Sequence, residues 1–222
     1  MMKNLPIRLL ATLFIPLSIL SCNAPVKAPT TLPTNNSATE NALIVPLKSV
    51  GNVTSGMKYE DLLRVFGQNR LKNDTVVEAE GTKSSLMTII DNEKNTELVV
   101  IWADSFPLKS IERIQINQAN SPYKTASGVG NGMTIAQLEA VNTQPLRFSG
   151  FGWDFGGVIS GFNGGKLDSV TIGYILDLPI EGDKQDPKSE DLYGDSMHKT
   201  TDPLVRLFKD KIKIVRTEVR FK

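Results

Sequence analysis

Few residues in this chain of 222 could do acid–base or coordination chemistry. His198 is the only histidine, which excludes a multi-histidine metal site. Of two carboxylates, Asp154 lies within a glycine- and aromatic-rich stretch, SGFGWDFGGVISGFNGGK, at 149–166, and Asp168 follows it. A pair of carboxylates on either side of a bound sugar or peptide could act as general acid and base. Asp154/Asp168 is thus the candidate pair for cleavage of a glycan or peptide, although spacing along one chain does not make the two converge. The acidic run DLPIEGDKQDPKSEDLYGD at 177–195 lacks the alternating D-x-D-x-D-G and later Glu of a calcium loop, and reads as a solvated loop. No metal, no cofactor and no catalytic constellation is expected.

The glycine-rich stretch fits no phosphate cradle. GFNGGKL at 161–167 is one residue short between its glycines, and Leu167 stands where a P-loop needs a hydroxyl. GFGWDFG at 150–156 has three residues where a dinucleotide fingerprint has two, and no helix pattern follows. Glycines inside strands mark bulges, curvature or close approach of another backbone. Asn163-Gly164 predicts a tight I′ turn between two strands. Phe151, Trp153 and Phe155 alternate, so a continuous strand would project the three rings to one side and Asp154 to the other. Two readings follow: an aromatic core over a curved sheet, or an exposed aromatic groove for a peptide or glycan. In the second, Phe151, Trp153, Asp154 and Phe155 are the partner-binding candidates. Trp102 is expected in the core.

The elements that must position these residues come in two similar units. Residues 53–69 align without a gap on 129–145, with identities at Val53/Val129, Gly56/Gly132, Met57/Met133, Leu62/Leu138, Val65/Val141 and Gln68/Gln144. Each predicts a turn and a short helix. Tyr59, Leu62, Leu63 and Phe66 share one helical face. Thr134 and Gln137 have capping-box spacing. Gly67 stops the first helix; Asn142 and Pro145 stop the second. Strands are predicted at 75–80, 84–91, 97–102 and 111–117 after the first helix, and at 147–153, 156–162 and 167–174 after the second. LVVIW, without alternation, reads as a strand covered on both faces. Asp202-Pro203 starts a third helix. Residues 211–222 read as a strand whose apolar phase flips near Val215, which predicts a bulge, and whose Lys and Arg guard a solvated sheet edge. The expected class is α+β, two degenerate helix-plus-antiparallel-meander repeats at 46–125 and 126–222.

The N-terminus is a basic head, an apolar run too short to span a bilayer, and Ser21 before Cys22, the only cysteine. It predicts a signal peptide at 1–21. Ile-Leu-Ser-Cys resembles the lipobox of bacterial lipoproteins, which implies cleavage before Cys22 and acylation of that residue. With one cysteine there is no intramolecular disulfide, so the fold relies on its core. In that family Asp after the cysteine signals inner-membrane retention; Asn23 stands here, which implies the outer membrane. No acidic residue follows closely, which implies its periplasmic face. Residues 22–45 are expected to be a disordered tether, polar and proline-rich; 20 residues of it reach at most about 65 Å. The whole chain carries only +1, and cleavage removes Lys3, Arg8 and no acid, so charge suggests no nucleic-acid partner.

The Gly-Met turns, at Gly56-Met57 and Gly132-Met133, each lead into a short helix ending in Gly67 or Pro145 with strands behind. They resemble the repeats of the β-lactamase-inhibitor-protein-like folds and of the small outer-membrane assembly lipoproteins of the SmpA/OmlA family. The resemblance implies a lipid-anchored cell-envelope binding module, non-catalytic, engaging an envelope protein or polymer through a sheet face. The alternatives left open are the Asp154/Asp168 enzyme and a carrier with a lipid or small-ligand cavity between helices and sheet.

Overall fold

A computed structural model describes residues 41–78, 80–91, 95–168, 171–179 and 186–221. Cys22, its lipobox and residues 23–40 of the tether lie outside the described residues, as do residues 180–185 of the acidic run. The strands are β1 Leu43–Val45, β2 Ser49–Val50, β3 Val53–Thr54, β4 Leu71–Glu78, β5 Lys83–Ile90, β6 Leu98–Trp102, β7 Ile111–Ile116, β8 Lys124–Thr125, β9 Arg147–Ser149, β10 Ile159–Gly161, β11 Ile172–Asp177, β12 Met197–Lys199 and β13 Lys213–Arg220. The helices are α1 Tyr59–Phe66, α2 Ile135–Asn142 and α3 Pro203–Phe208. The protein is α+β, as expected.

The main sheet is antiparallel, in the order β11-β13-β7-β6-β5-β4. Period-2 alternation sorts its residues by face. One face presents Ile172, Tyr174, Val219, Ile114, Ile116, Leu98, Val100 and Trp102, all buried in one core cluster with Leu62 of α1, Leu138 of α2 and Phe208 of α3. The helices therefore cover this face. Trp102 is buried as expected, and its indole N–H donates to Thr88 Oγ1 at 2.9 Å, so burial strands no donor. All five residues of β6 are buried, in keeping with its unbroken apolar run.

Local sequence accounts for the helix ends. In α1 the Asp61 carboxylate accepts the Lys58 backbone N–H at 3.0 Å, and Gly67 ends the helix at φ +82°, open to glycine at little cost. The α2 capping box forms as its spacing predicts: Gln137 N–H donates to Thr134 Oγ1, and Thr134 N–H donates to Gln137 Oε1. Asp202 and Pro203 open α3.

The C-terminal edge, the length of the tether and the second meander differ from expectation. Residues 211–222 do not form an edge: β13 lies between β7 and β11. Arg216 and Glu218 lie on the sheet's outer face beside Gln115 and Arg113, while Thr217 and Val219 are buried on the inner face. A charge every second or third residue marks one wet face as readily as one wet edge. The predicted bulge is present, with the register against β11 slipping between Arg216 and Ile214. The tether does not extend to residue 45. Leu43–Val45 pairs with β2 and, in parallel, with β8, and Ile44 is buried. Nor does one meander follow the second helix. β9 and β10 form a separate small sheet with β12, and β11 joins the main sheet beside the C-terminal strand.

The outer face of the main sheet carries an ionic cluster. A bulge opposite Ile101 brings both Glu112 and Arg113 to this face. The nearly buried Arg113 guanidinium pairs with Glu78, Glu112 and Glu218, and Lys83 pairs with Glu112 at 3.1 Å. Burial by itself would push the Glu112 carboxyl up. The Lys83 hydrogen bond and the Arg113 and Lys83 charges outweigh it and hold it below its ordinary value.

Candidate functional site

The glycine-rich stretch is not a continuous strand. β9 ends at Ser149, Phe151 makes one isolated bridge to Tyr193, and residues 152–157 turn back before β10. The alternation that would have put three rings on one side is broken at Gly152, which takes φ +84°. Phe151 points inward and is 1% exposed, stacked on Phe148 at 5.7 Å and edge-on to Tyr193 at 5.8 Å. Burial and the Asp177 carboxylate push the Tyr193 phenol up. Trp153 and Phe155 point outward together, 39% and 49% exposed, in edge contact at 5.4 Å. Phe151 therefore belongs to the aromatic core, while Trp153 and Phe155 lie at the surface.

The turn that carries the two rings is braced from several sides. Trp153 Nε1–H donates to Gly150 O at 3.0 Å. Gly156 N–H donates to Trp153 O at 2.8 Å, closing the turn. Ser149 Oγ–H donates to Phe155 O while accepting Val158 N–H. Gly157 N–H returns to Ser149 O, and Leu176 N–H of β11 donates to Gly157 O at 2.8 Å. Gly150 N–H and Phe151 N–H reach Ser196 O and Leu192 O, both at 2.8 Å. A side chain on Gly150 would meet backbone carbonyls of Gly194 and Leu192 and the His198 ring. The close approach expected of the glycines occurs at Gly157, against Leu176 of β11. The sequence named the rings but not the bracing by Ser149 or the packing of Tyr193, 42 positions after Phe151. Val158 and Met197 are two further exposed apolar side chains from β10 and β12 and their flanks.

The two candidate carboxylates serve different turns. Asp154 Oδ2 accepts the backbone N–H of Glu80, in the β4–β5 turn, at 2.9 Å. Asp168 Oδ2 accepts Gly164 N–H at 3.2 Å. Both are exposed. Asn163 and Gly164 take φ +51° and +69°, with Gly165 N–H donating to Phe162 O, so the predicted turn forms. It does not close a two-strand hairpin. The chain runs instead to the end of α2, where the buried Asn142 accepts Leu167 N–H and donates to Phe162 O and Gln144 O.

No protein-family model matches the chain, and no curated protein matches it. Among solved structures it is similar to that of the uncharacterized protein yfeY from Escherichia coli, at 15% identity and a TM-score of 0.45, over 79% of this chain and 98% of that one.

Among the described residues no cluster of three or more His, Cys, Asp and Glu is placed to hold a metal ion, and no helix is long and apolar enough to cross a membrane. An open groove between α2 and α3, lined by Ala136, Ala140, Thr143, Thr200 and Arg206, mixes small, polar and charged groups. His198 packs its ring on Phe148 at 5.6 Å, at the base of the aromatic turn.

Proposed function

We propose that this protein is a lipid-anchored module of a bacterial cell envelope that binds another envelope protein or polymer without transforming it. The aromatic turn at 152–155 is its contact surface. The observation that carries this reading is the Trp153–Phe155 pair: two large rings half out of the protein on a backbone braced from β9, β11 and the residues before β12. Large rings already fixed in place lose little freedom on binding, and Trp is enriched among the residues that dominate interfaces. The surface is therefore a turn at the end of the small sheet, where a sheet face was expected.

The lipobox at Cys22 supports the anchor, and Asn23 supports placement in the outer membrane, facing the periplasm. The engagement of Asp154 and Asp168 with separate turns supports binding over glycan or peptide cleavage. The doubled Gly-Met, helix and strand order supports kinship with the β-lactamase-inhibitor-protein-like repeats, although the strands after α2 divide between two sheets.

The test is photo-crosslinking in cells of the full chain, with the reactive group at position 155 and, as a control, at the exposed Lys209. A discrete adduct from 155, absent from 209 and lost on Trp153→Ala, is the expected result. Equal labelling from both positions would remove the contact surface. Turnover of an envelope glycan or peptide that disappears in Asp154→Asn, with folding intact, would replace binding by catalysis. Cys22→Ser is expected to release the protein from membranes.

A further inference from the structure

The two edges of the main sheet are treated differently. At one end β11 is covered: Leu176 N–H donates to Gly157 O, and Val158 bridges to Ile175. At the other end, among the described residues, no strand pairs with the outer side of β4. It pairs with β5 over eight residues without a bulge, from Leu71↔Ile90 to Glu78↔Lys83. It contains no proline, and Lys72 to Thr75 are exposed. Val77 is 62% exposed.

Backbone direction on this strand is fixed. Asp91 N–H donates to Arg70 O at the root of the hairpin, so in antiparallel alternation the even residues face β5 and the odd ones face outward. Thr75 agrees: its N–H turns to the side-chain Oδ1 of Asp74, at 2.8 Å. The backbone groups of Asn73 and Val77 also face out, and among the described residues no backbone group pairs with them. A row of outward N–H and C=O groups on a flat edge is a template for another strand.

We propose that β4 pairs antiparallel with β4 of a second copy of this chain, about a twofold axis at Thr75, joining two main sheets into one. The sequence of β4 favours this occupant and this register. With Thr75 opposite itself, outward residues face outward residues, as a ladder requires. Lys72 of one copy then stands opposite Glu78 of the other, twice, and Asn73 opposite Val77. Neighbouring registers fail on charge. Centring on Asp74 sets two Asp74 carboxylates face to face, and centring on Val76 sets Asp74 against Glu78; like charges directly opposite are destabilising. Centring on Asn73 keeps Lys72 opposite Asp74 but overlaps only residues 71–75. The strand is self-complementary from Lys72 to Glu78 in one register. This pairing is independent of the aromatic turn.

The experiment places one cysteine at the axis of the full, membrane-bound chain. An antiparallel hydrogen-bonded pair has Cα atoms about 5.5 Å apart, with Cβ atoms slightly too far apart for a direct disulfide but within reach of a short thiol-to-thiol crosslinker. Thr75→Cys is expected to give a covalent dimer with a short bis-maleimide, while the parent chain and the exposed control Lys109→Cys do not. Adding Lys72→Glu is expected to abolish the dimer, and Lys72→Arg, which keeps the charge, to retain it; Glu78 is left in place because Arg113 holds it within each copy. Thr75→Pro is expected to leave the β4–β5 ladder intact, since that N–H takes no part in it, and to turn the detergent-solubilised protein monomeric by sedimentation. The proposal is overturned if Thr75→Cys crosslinks no better than Lys109→Cys, if the dimer survives Lys72→Glu, or if Thr75→Cys is captured by a different protein, which would make the edge a dock for a foreign strand.

Discussion

Asp154 holds Glu80. The carboxylate on the aromatic turn accepts the backbone N–H of a residue 74 positions earlier, in the β4–β5 turn, at 2.9 Å. Glu80 sits at φ +55°. The hydrogen bond thus fixes a left-handed turn residue and the aromatic turn to one another. A carboxylate that looks catalytic in sequence is, in space, a backbone acceptor.

Asp154→Asn is expected to keep an acceptor and to cost little, about 1 kcal/mol or less by urea denaturation, as for a hydrogen bond exposed to water. Partner capture should survive it and should fail in Trp153→Ala. Loss of capture in Asp154→Asn at unchanged stability would assign the carboxylate to the partner.

Gly157 approaches β11 so closely that a Cβ would lie 1.8 Å from the Leu176 carbonyl oxygen, and its φ is +72°. Gly157→Ala must therefore push the turn off the sheet and is expected to cost about 3 kcal/mol or more. Gly164→Ala shares the positive φ but meets nothing within 4 Å. It should cost only about 1–2 kcal/mol. Thermal melts of the two variants make the comparison. Equal losses would mean that the contact with Leu176 O adds nothing.

Asn142 is fully buried and serves three backbone groups from the segments that follow α2. Asn142→Leu preserves much of the volume and orphans all three. A loss of about 3 kcal/mol or more is expected, since each buried unpaired group costs roughly 1–3 kcal/mol. Amide exchange should speed up at Leu167 before it does so in the β6–β7 pair.

Arg113 joins three glutamates, and Glu112 titrates below the ordinary value of 4.5. A carboxylate whose folded pKa is depressed stabilises the protein above its unfolded pKa and ceases to do so as pH falls through the folded value. Arg113→Met removes the cation and leaves the carboxylates facing each other. The variant is expected to lose about 3 kcal/mol at neutral pH, and the deficit should shrink as pH falls through the carboxylate range. Urea titrations across that range check it. A deficit independent of pH would assign the loss to packing instead.

Much of the fold was legible in order, because helices, caps and turns are decided within a few residues. The α1 face, the Thr134–Gln137 box, the Asn163-Gly164 turn and the bulge near Val215 all lie within one local window. Of the candidate site, the aromatic residues were legible as types and their directions were not. Alternation holds only while a strand continues, and Gly152 ends it between Phe151 and Trp153.

By itself the sequence set what each segment could become: a short helix with its caps, an apolar strand, a glycine free to turn left-handed. Tertiary structure alone decided neighbours: β13 between β7 and β11, Asp154 at Glu80, Gly157 under Leu176. Propensity and periodicity act over a few residues. A strand's place in a sheet depends on hydrogen bonds and apolar contacts between segments a hundred residues apart, and the same residue pattern serves an edge or a centre until its partners arrive.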